Sequence, residues 1–109
     1  MSRGLRMTLA TQAVLKVFLD DLSASRYGFD IAREAGLATG SLYPILARLE
    51  QAGWVESFWE DQESTELGRP RRRYYRLTED GACQARSAIE AALRRTTPRS
   101  WFPARGSIG

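Results

Sequence analysis

Histidine is absent from this sequence, and lysine nearly so: of 16 basic residues, all but Lys16 are arginine. Without histidine the commonest general base and the commonest metal ligand are both missing. Cysteine occurs once, at Cys83. An intrachain disulfide and a multi-cysteine metal site are therefore excluded. A reducing cytoplasm is the natural compartment for such a chain, so a cytoplasmic location is expected. Long apolar runs are missing too. The N-terminal stretch MSRGLRMTLATQAVLKVFLDD is broken by Thr11, Gln12, Lys16 and Asp20. It reads neither as a signal-peptide core nor as a membrane span. The serines and the cysteine have no histidine partner, and GLATG and GRP are too short to form phosphate loops. The expectation is a protein without cofactor, metal or enzymatic activity.

What is present fits one small domain. The 109 residues are 43% hydrophobic and 27% charged, enough for a single core. The net charge of +3 permits a nucleic-acid partner without demanding one. Its distribution is more telling. Five arginines fall between positions 69 and 76, namely Arg69, Arg71, Arg72, Arg73 and Arg76, and several of the 13 acidic residues lie just before them.

Thr8 is placed to cap a first helix that runs to about Asp21. On a helical wheel Gln12, Lys16 and Asp20 share one narrow sector, and apolar side chains fill most of the rest. One stripe suffices for the core of a small monomer. The extra width fits either a second burial surface against a partner or a helix central to the core. Tyr27 to Ala35 reads as a second helix stopped by Gly36. After the tight LATG connection, a third helix from about Ser41 to Ala52 places Leu42, Ile45, Leu46 and Leu49 on one stripe. Trp54 to Glu60 alternates and is rich in aromatics, so it reads as a strand. Residues 61–70 read as a long hairpin loop, and Arg71 to Leu77 as the returning strand. Thr78 caps a last helix, Glu79 to Arg95, with Ala82, Ala85, Ala88, Ile89, Ala92 and Leu93 on its apolar face. Helix, helix, helix, hairpin, helix is the order of a winged helix-turn-helix, mainly α with a β-hairpin wing. The expected organisation is a DNA-binding domain over 1–77, a dimerisation helix over 78–95 and a flexible tail over 96–109.

In a helix-turn-helix the second helix enters the major groove with its N-terminal residues nearest the bases. Opposite the third helix's core stripe lie Tyr43, Pro44, Ala47 and Gln51, with Ser41 and Arg48 at the flank. Arg48 suits guanine or a phosphate, and Gln51 suits adenine. Tyr43 and Ser41 can donate to phosphate, and Thr39, Gly40 and Ser41 bring free backbone N–H groups to the helix start. A solvated surface would carry similar polar residues. Pro44 implies a helix that starts close to Ser41 or bends there. Arg69, Arg71, Arg72 and Arg73 at a hairpin tip are expected to be free to point outward, towards a phosphate backbone or a minor groove. A charged edge strand protected from aggregation is the plainer reading of the same run. Trp54, Phe58, Trp59, Tyr74 and Tyr75 read most simply as hairpin core, and a flat aromatic ligand site is the functional alternative.

These motifs carry a family resemblance. YGFDIA (Tyr27 to Ala32), TGSLYPILARLEQAGWVES (Thr39 to Ser57), Trp59 and GRPRRRYYRLTEDG (Gly68 to Gly81) make the chain resemble the PadR family of bacterial transcriptional regulators, in its short C-terminal type. The resemblance implies a winged helix that binds double-stranded DNA as a homodimer on a palindromic operator, usually as a repressor. It implies dimerisation through the first and last helices. Here that nominates Leu15, Leu19, Leu22, Ala85, Ile89, Ala92 and Leu93. It also raises a small aromatic effector. No membrane partner is expected. The runner-up function is a winged helix that docks on another regulatory protein and meets its acidic side chains with the same arginines.

Overall fold

The third helix sets the frame for the rest of the molecule. In a computed structural model that describes residues 5–61 and 64–96, with backbone alone at 64, 65 and 96, it spans Thr39–Gln51 and buries Leu42, Ile45, Leu46 and Leu49. The element order is α1 (Leu9–Asp20), β1 (Arg26–Tyr27), α2 (Gly28–Ala35), α3 (Thr39–Gln51), β2 (Val55–Trp59), α4 (Ser64–Leu67), β3 (Arg73–Leu77) and α5 (Glu79–Thr96). Of the tail expected over 96–109, Thr96 still belongs to α5 and residues 97–109 lie outside the described residues.

Local chemistry places each boundary. Thr8 caps α1 by accepting the Thr11 N–H on its hydroxyl at 3.1 Å. Two left-handed glycines end the helix-turn-helix pair. Gly36 has φ 73° and Gly53 φ 80°, a region open to glycine at little steric cost. Beyond them Leu37 N–H bonds Ala32 O and Trp54 N–H bonds Leu49 O, both at 2.9 Å, which closes the helix ends in Schellman fashion. Trp54 and Leu49 are both buried, so the apolar contact that accompanies this motif is available as well.

α1 is the central helix. Val14, Leu15, Val17 and Phe18 are buried against Ile31 and Ala32 of α2, the α3 stripe, Val55, Tyr75 and Leu77 of the sheet, and Ala82, Ala85 and Ile89 of α5. Most of its apolar width is thus used within one protomer. Gln12 departs from the exposed sector expected of it: it is buried, and its side-chain amide donates to Met7 O at 2.9 Å. A buried amide is tolerated when bonded in this way.

The wing is a three-stranded antiparallel sheet in the order β1-β3-β2. Val55 pairs with Leu77, Ser57 with Tyr75 and Trp59 with Arg73, so these residues share the inner face. β1 adds Arg26 opposite Tyr75 and Tyr27 opposite Tyr74. Tyr27 had been expected to open the second helix instead, because two residues are too few to show an alternation. The expected loop over 61–70 contains the single helical turn α4. α3 begins at Thr39, two residues earlier than Pro44 suggested, so the proline lies inside the helix. It leaves the Gly40 carbonyl without its usual donor, a loss that water can offset at this exposed position.

Thr78 locks the sheet to α5. Its hydroxyl donates to Gly53 O at 2.8 Å and accepts the Gly81 N–H at 2.8 Å. Gly81 then lies so close to Trp54 that a Cβ there would overlap the Trp54 carbonyl.

Candidate nucleic-acid interface

α3 turns one face out. Thr39, Ser41, Tyr43, Pro44, Ala47, Arg48 and Gln51 are all exposed, opposite the buried leucines and Ile45. Among the described residues Arg48 makes no ion pair. Tyr43 is held in place from beside: its ring lies over Gly28, where a Cβ would come within 2.6 Å of the tyrosine hydroxyl. Tyr43 lines a cleft of about 400 Å³ together with Tyr27, Trp59, Pro70, Tyr75 and all four arginines Arg69, Arg71, Arg72 and Arg73. Of the recognition-helix residues singled out from sequence, Tyr43 thus meets the wing arginines at one concavity, while Thr39, Ser41, Pro44, Arg48 and Gln51 lie outside its lining. Tyr75, buried below it, has its phenol pushed above the ordinary 10.0, chiefly by desolvation, and stays neutral.

The arginines do not simply point outward as expected. Glu60, the residue just after β2, gathers three of them. Its carboxylate accepts two hydrogen bonds from the Arg69 guanidinium, at 2.8 and 3.0 Å, and the Arg72 backbone N–H at 2.9 Å. Its carbonyl accepts Nε and Nη2 of Arg71 at 3.0 and 2.6 Å. Its own N–H continues the sheet ladder to Arg72 O at 2.9 Å. The Arg69 hydrogen bonds are the largest cause that brings the Glu60 carboxyl from 4.5 down to about 2, against some desolvation and with help from the Arg72 N–H. The Arg72 guanidinium lies 4.3 Å from the centre of the Tyr27 ring.

Arg73 ties the wing to α3. It donates to Ser57 Oγ at 2.7 Å and sits 3.7 Å from Glu50 Oε2, and Ser57 in turn donates to Glu50 at 2.7 Å. Its charge also lies over the Trp59 ring, 5.3 Å from the centroid. Trp59 is 52% exposed and Phe58 39%, so neither belongs to the core as expected. Phe58 stacks instead on Tyr74, which meets Tyr27, to form a rib across the outer face of the sheet. Trp54 and Tyr75 are buried in the core. Arg76 pairs with Glu56 at 2.8 Å. Of the five clustered arginines, Arg69, Arg73 and Arg76 thus face carboxylates, whereas Arg71 and Arg72 keep their charge uncompensated by an ion pair among the described residues.

The residues nominated for dimerisation separate into two groups. Leu15 and Ala85 are 0% exposed within the protomer and have no surface to offer a partner; both are core residues. Ile89 and Ala92 are also buried, and Leu19 packs against the core. Leu22 and Leu93 are exposed, as is Leu9.

Glu60, Tyr27, Glu50 and Ser57 were not singled out from sequence. Alternation does put Glu60 opposite Arg72 across the hairpin, a signal that was available. The Arg69 contact depends on the path of residues 61–70, which spacing does not supply. Among the described residues no cluster of three metal-ligating side chains occurs, and no helix is long and apolar enough to cross a membrane.

The architecture recurs in solved structures. A PadR family transcriptional regulator from Eggerthella lenta aligns at 27% identity and TM-score 0.58, over 79% of this chain and 76% of that one. A homodimeric winged helix-turn-helix DNA-binding domain from Mycobacterium bovis aligns at 21% identity and TM-score 0.58, over 82% and 72%. A MarR family transcriptional regulator from Silicibacter pomeroyi aligns at 20% identity and TM-score 0.59, over 85% of this chain, which spans only 58% of that protein. No curated protein sequence matches the chain. The family model of the PadR-like transcriptional regulators matches residues 15–87. With the winged fold built on that same segment, the chain belongs to the PadR-like family of transcriptional regulators.

Proposed function

We propose that this regulator is a sequence-specific DNA-binding protein that acts as a homodimeric repressor on a palindromic operator. The observation that carries the reading is the exposed α3 face of Tyr43, Pro44, Arg48 and Gln51, whose Tyr43 shares one cleft with the arginines of the wing. Arg48 and Gln51 read base edges in the major groove. Thr39, Ser41 and Tyr43 donate to phosphates at the helix start. Arg71 and Arg72 face the flanking backbone. The exposed Leu22 and Leu93 belong to the dimer surface, which sets two recognition helices about 34 Å apart for successive major grooves. The homodimeric state of the M. bovis domain supports this assembly.

Selection of bound duplexes from random DNA, followed by anisotropy titration, tests the proposal. A recovered palindrome is expected. Arg48→Ala or Gln51→Ala should change base preference at one position of each half-site, by about 1–3 kcal/mol of discrimination. Failure to enrich any sequence, together with no shift at low salt, would set the DNA reading aside.

A further inference from the structure

Resting on that reading, we propose that Glu60 is an internal stand-in for a DNA phosphate: it withdraws Arg69 from the DNA-contacting set, makes it a strut of the wing, and leaves Arg71 to meet the backbone. The geometry distinguishes the two arginines. Arg69 spends both ends of its fork on the Glu60 carboxylate, and Nη1 also reaches Pro70 O at 3.1 Å. A bidentate carboxylate uses the same donors that a phosphate would use. It also cancels the charge. Arg71 is bound differently. Among the described residues it donates only to the neutral Glu60 carbonyl, so within them its charge is not cancelled and its Nη1 hydrogens are not used. It is exposed, whereas Arg69 is partly buried. The same carboxylate takes the Arg72 N–H where the sheet ladder ends, so the wing's last rung and its charge are set by one residue. Glu60 is therefore a positioning residue that decides which arginines a duplex meets.

The test is the salt dependence of DNA binding, which counts the phosphates neutralised: each lost contact lowers the slope of log K against log salt by about 0.9. Wild type, R69Q, R71Q, E60Q and E60D are titrated by anisotropy against the selected operator and a scrambled duplex. The expected result is a wild-type slope for R69Q, a slope lower by about 0.9 for R71Q, and a slope steeper by about 0.9 for E60Q, whose Arg69 is released. E60D, which keeps the charge but shortens the reach, should keep the wild-type slope. The E60Q/R69Q double variant should return to it. Loss of slope in R69Q equal to that in R71Q overturns the proposal, as does an unchanged slope in E60Q. If E60Q disorders the wing and abolishes binding, R69Q alone decides between the same two outcomes. Absence of salt-dependent binding by wild type would instead defeat the DNA reading itself, and so is separable from failure of the Glu60 assignment.

Discussion

The ring of Tyr43 on α3 lies over the bare Cα of Gly28, the first residue of α2, so closely that one methyl group there would press on its hydroxyl and Cε1. The two helices of the helix-turn-helix are thus registered at the residue expected to meet phosphate. Gly28→Ala should leave the fold intact, because the atom it meets is the far end of a side chain able to swing aside. Its stability cost should stay within about 1 kcal/mol. DNA affinity should nevertheless fall, through displacement of Tyr43. A double-mutant cycle checks this: in a Tyr43→Ala background, Gly28→Ala should weaken binding no further. Additive losses would mean that Gly28 acts independently of Tyr43.

The junction between wing and α5 predicts a different outcome for a similar substitution. At Gly81 the obstacle is the Trp54 carbonyl, backbone fixed by its bond from the Thr78 N–H at 2.9 Å. Gly81→Ala must move α5, and should cost about 1–3 kcal/mol or more. Thr78→Ala, which deletes the cap on the Gly81 N–H, should cost about 1 kcal/mol. Urea denaturation followed by circular dichroism measures both. Equal effects of the alanine substitutions at 28 and 81 would contradict the close approach.

Glu60 gives a pH dependence with a definite sign. Its carboxyl is depressed in the folded chain from 4.5 to about 2. A carboxylate favoured by folding contributes stability that is present above its unfolded value and is lost as pH falls through the folded one. The stability difference between wild type and Glu60→Gln should therefore be flat above about pH 5 and should shrink progressively towards pH 2. Paired thermal melts across that range test it. A difference that persists unchanged to pH 2 would assign the stabilisation to packing rather than to the charge.

Periodicity made much of this fold legible, and the reasons are local. The stripe of Leu42, Ile45, Leu46 and Leu49 is a property of one helix, and all four are buried. Gly36 and Gly53 ended helices because positive φ is a local demand, and Thr78 announced its cap in the same way. The alternation of Trp54 to Glu60 marked a strand, but not which of its aromatics the core takes: Phe58 and Trp59 are exposed. What could not be read depends on pieces that meet across the chain. Spacing shows neither that Arg69 returns to Glu60 nor that Arg73 reaches Glu50 across the inner sheet face. The arginine run therefore looked freer than it is. Likewise the width of the α1 apolar surface was visible, but not how much of it α5 and the sheet cover.

That last distinction yields a test of the dimer. Leu15 and Leu93 were both nominated for the interface, but Leu15 is 0% exposed within the protomer and Leu93 is 52% exposed. A charge at Leu15 would be buried without a partner, and Leu15→Asp should unfold the domain altogether. Leu93→Glu places its charge at the protomer surface, so the monomer should remain folded with an unchanged helical spectrum. If Leu93 belongs to the subunit interface, the same charge is desolvated only on association, and the dimer should dissociate. Analytical ultracentrifugation of Leu93→Glu beside wild type, with Leu22→Glu as a second surface variant, separates the cases. A variant that stays dimeric, or a wild type that sediments as a monomer, would move the dimer contact elsewhere. Dissociation should also cost operator affinity more than affinity for scrambled DNA, because only the paired recognition helices can read both half-sites at once.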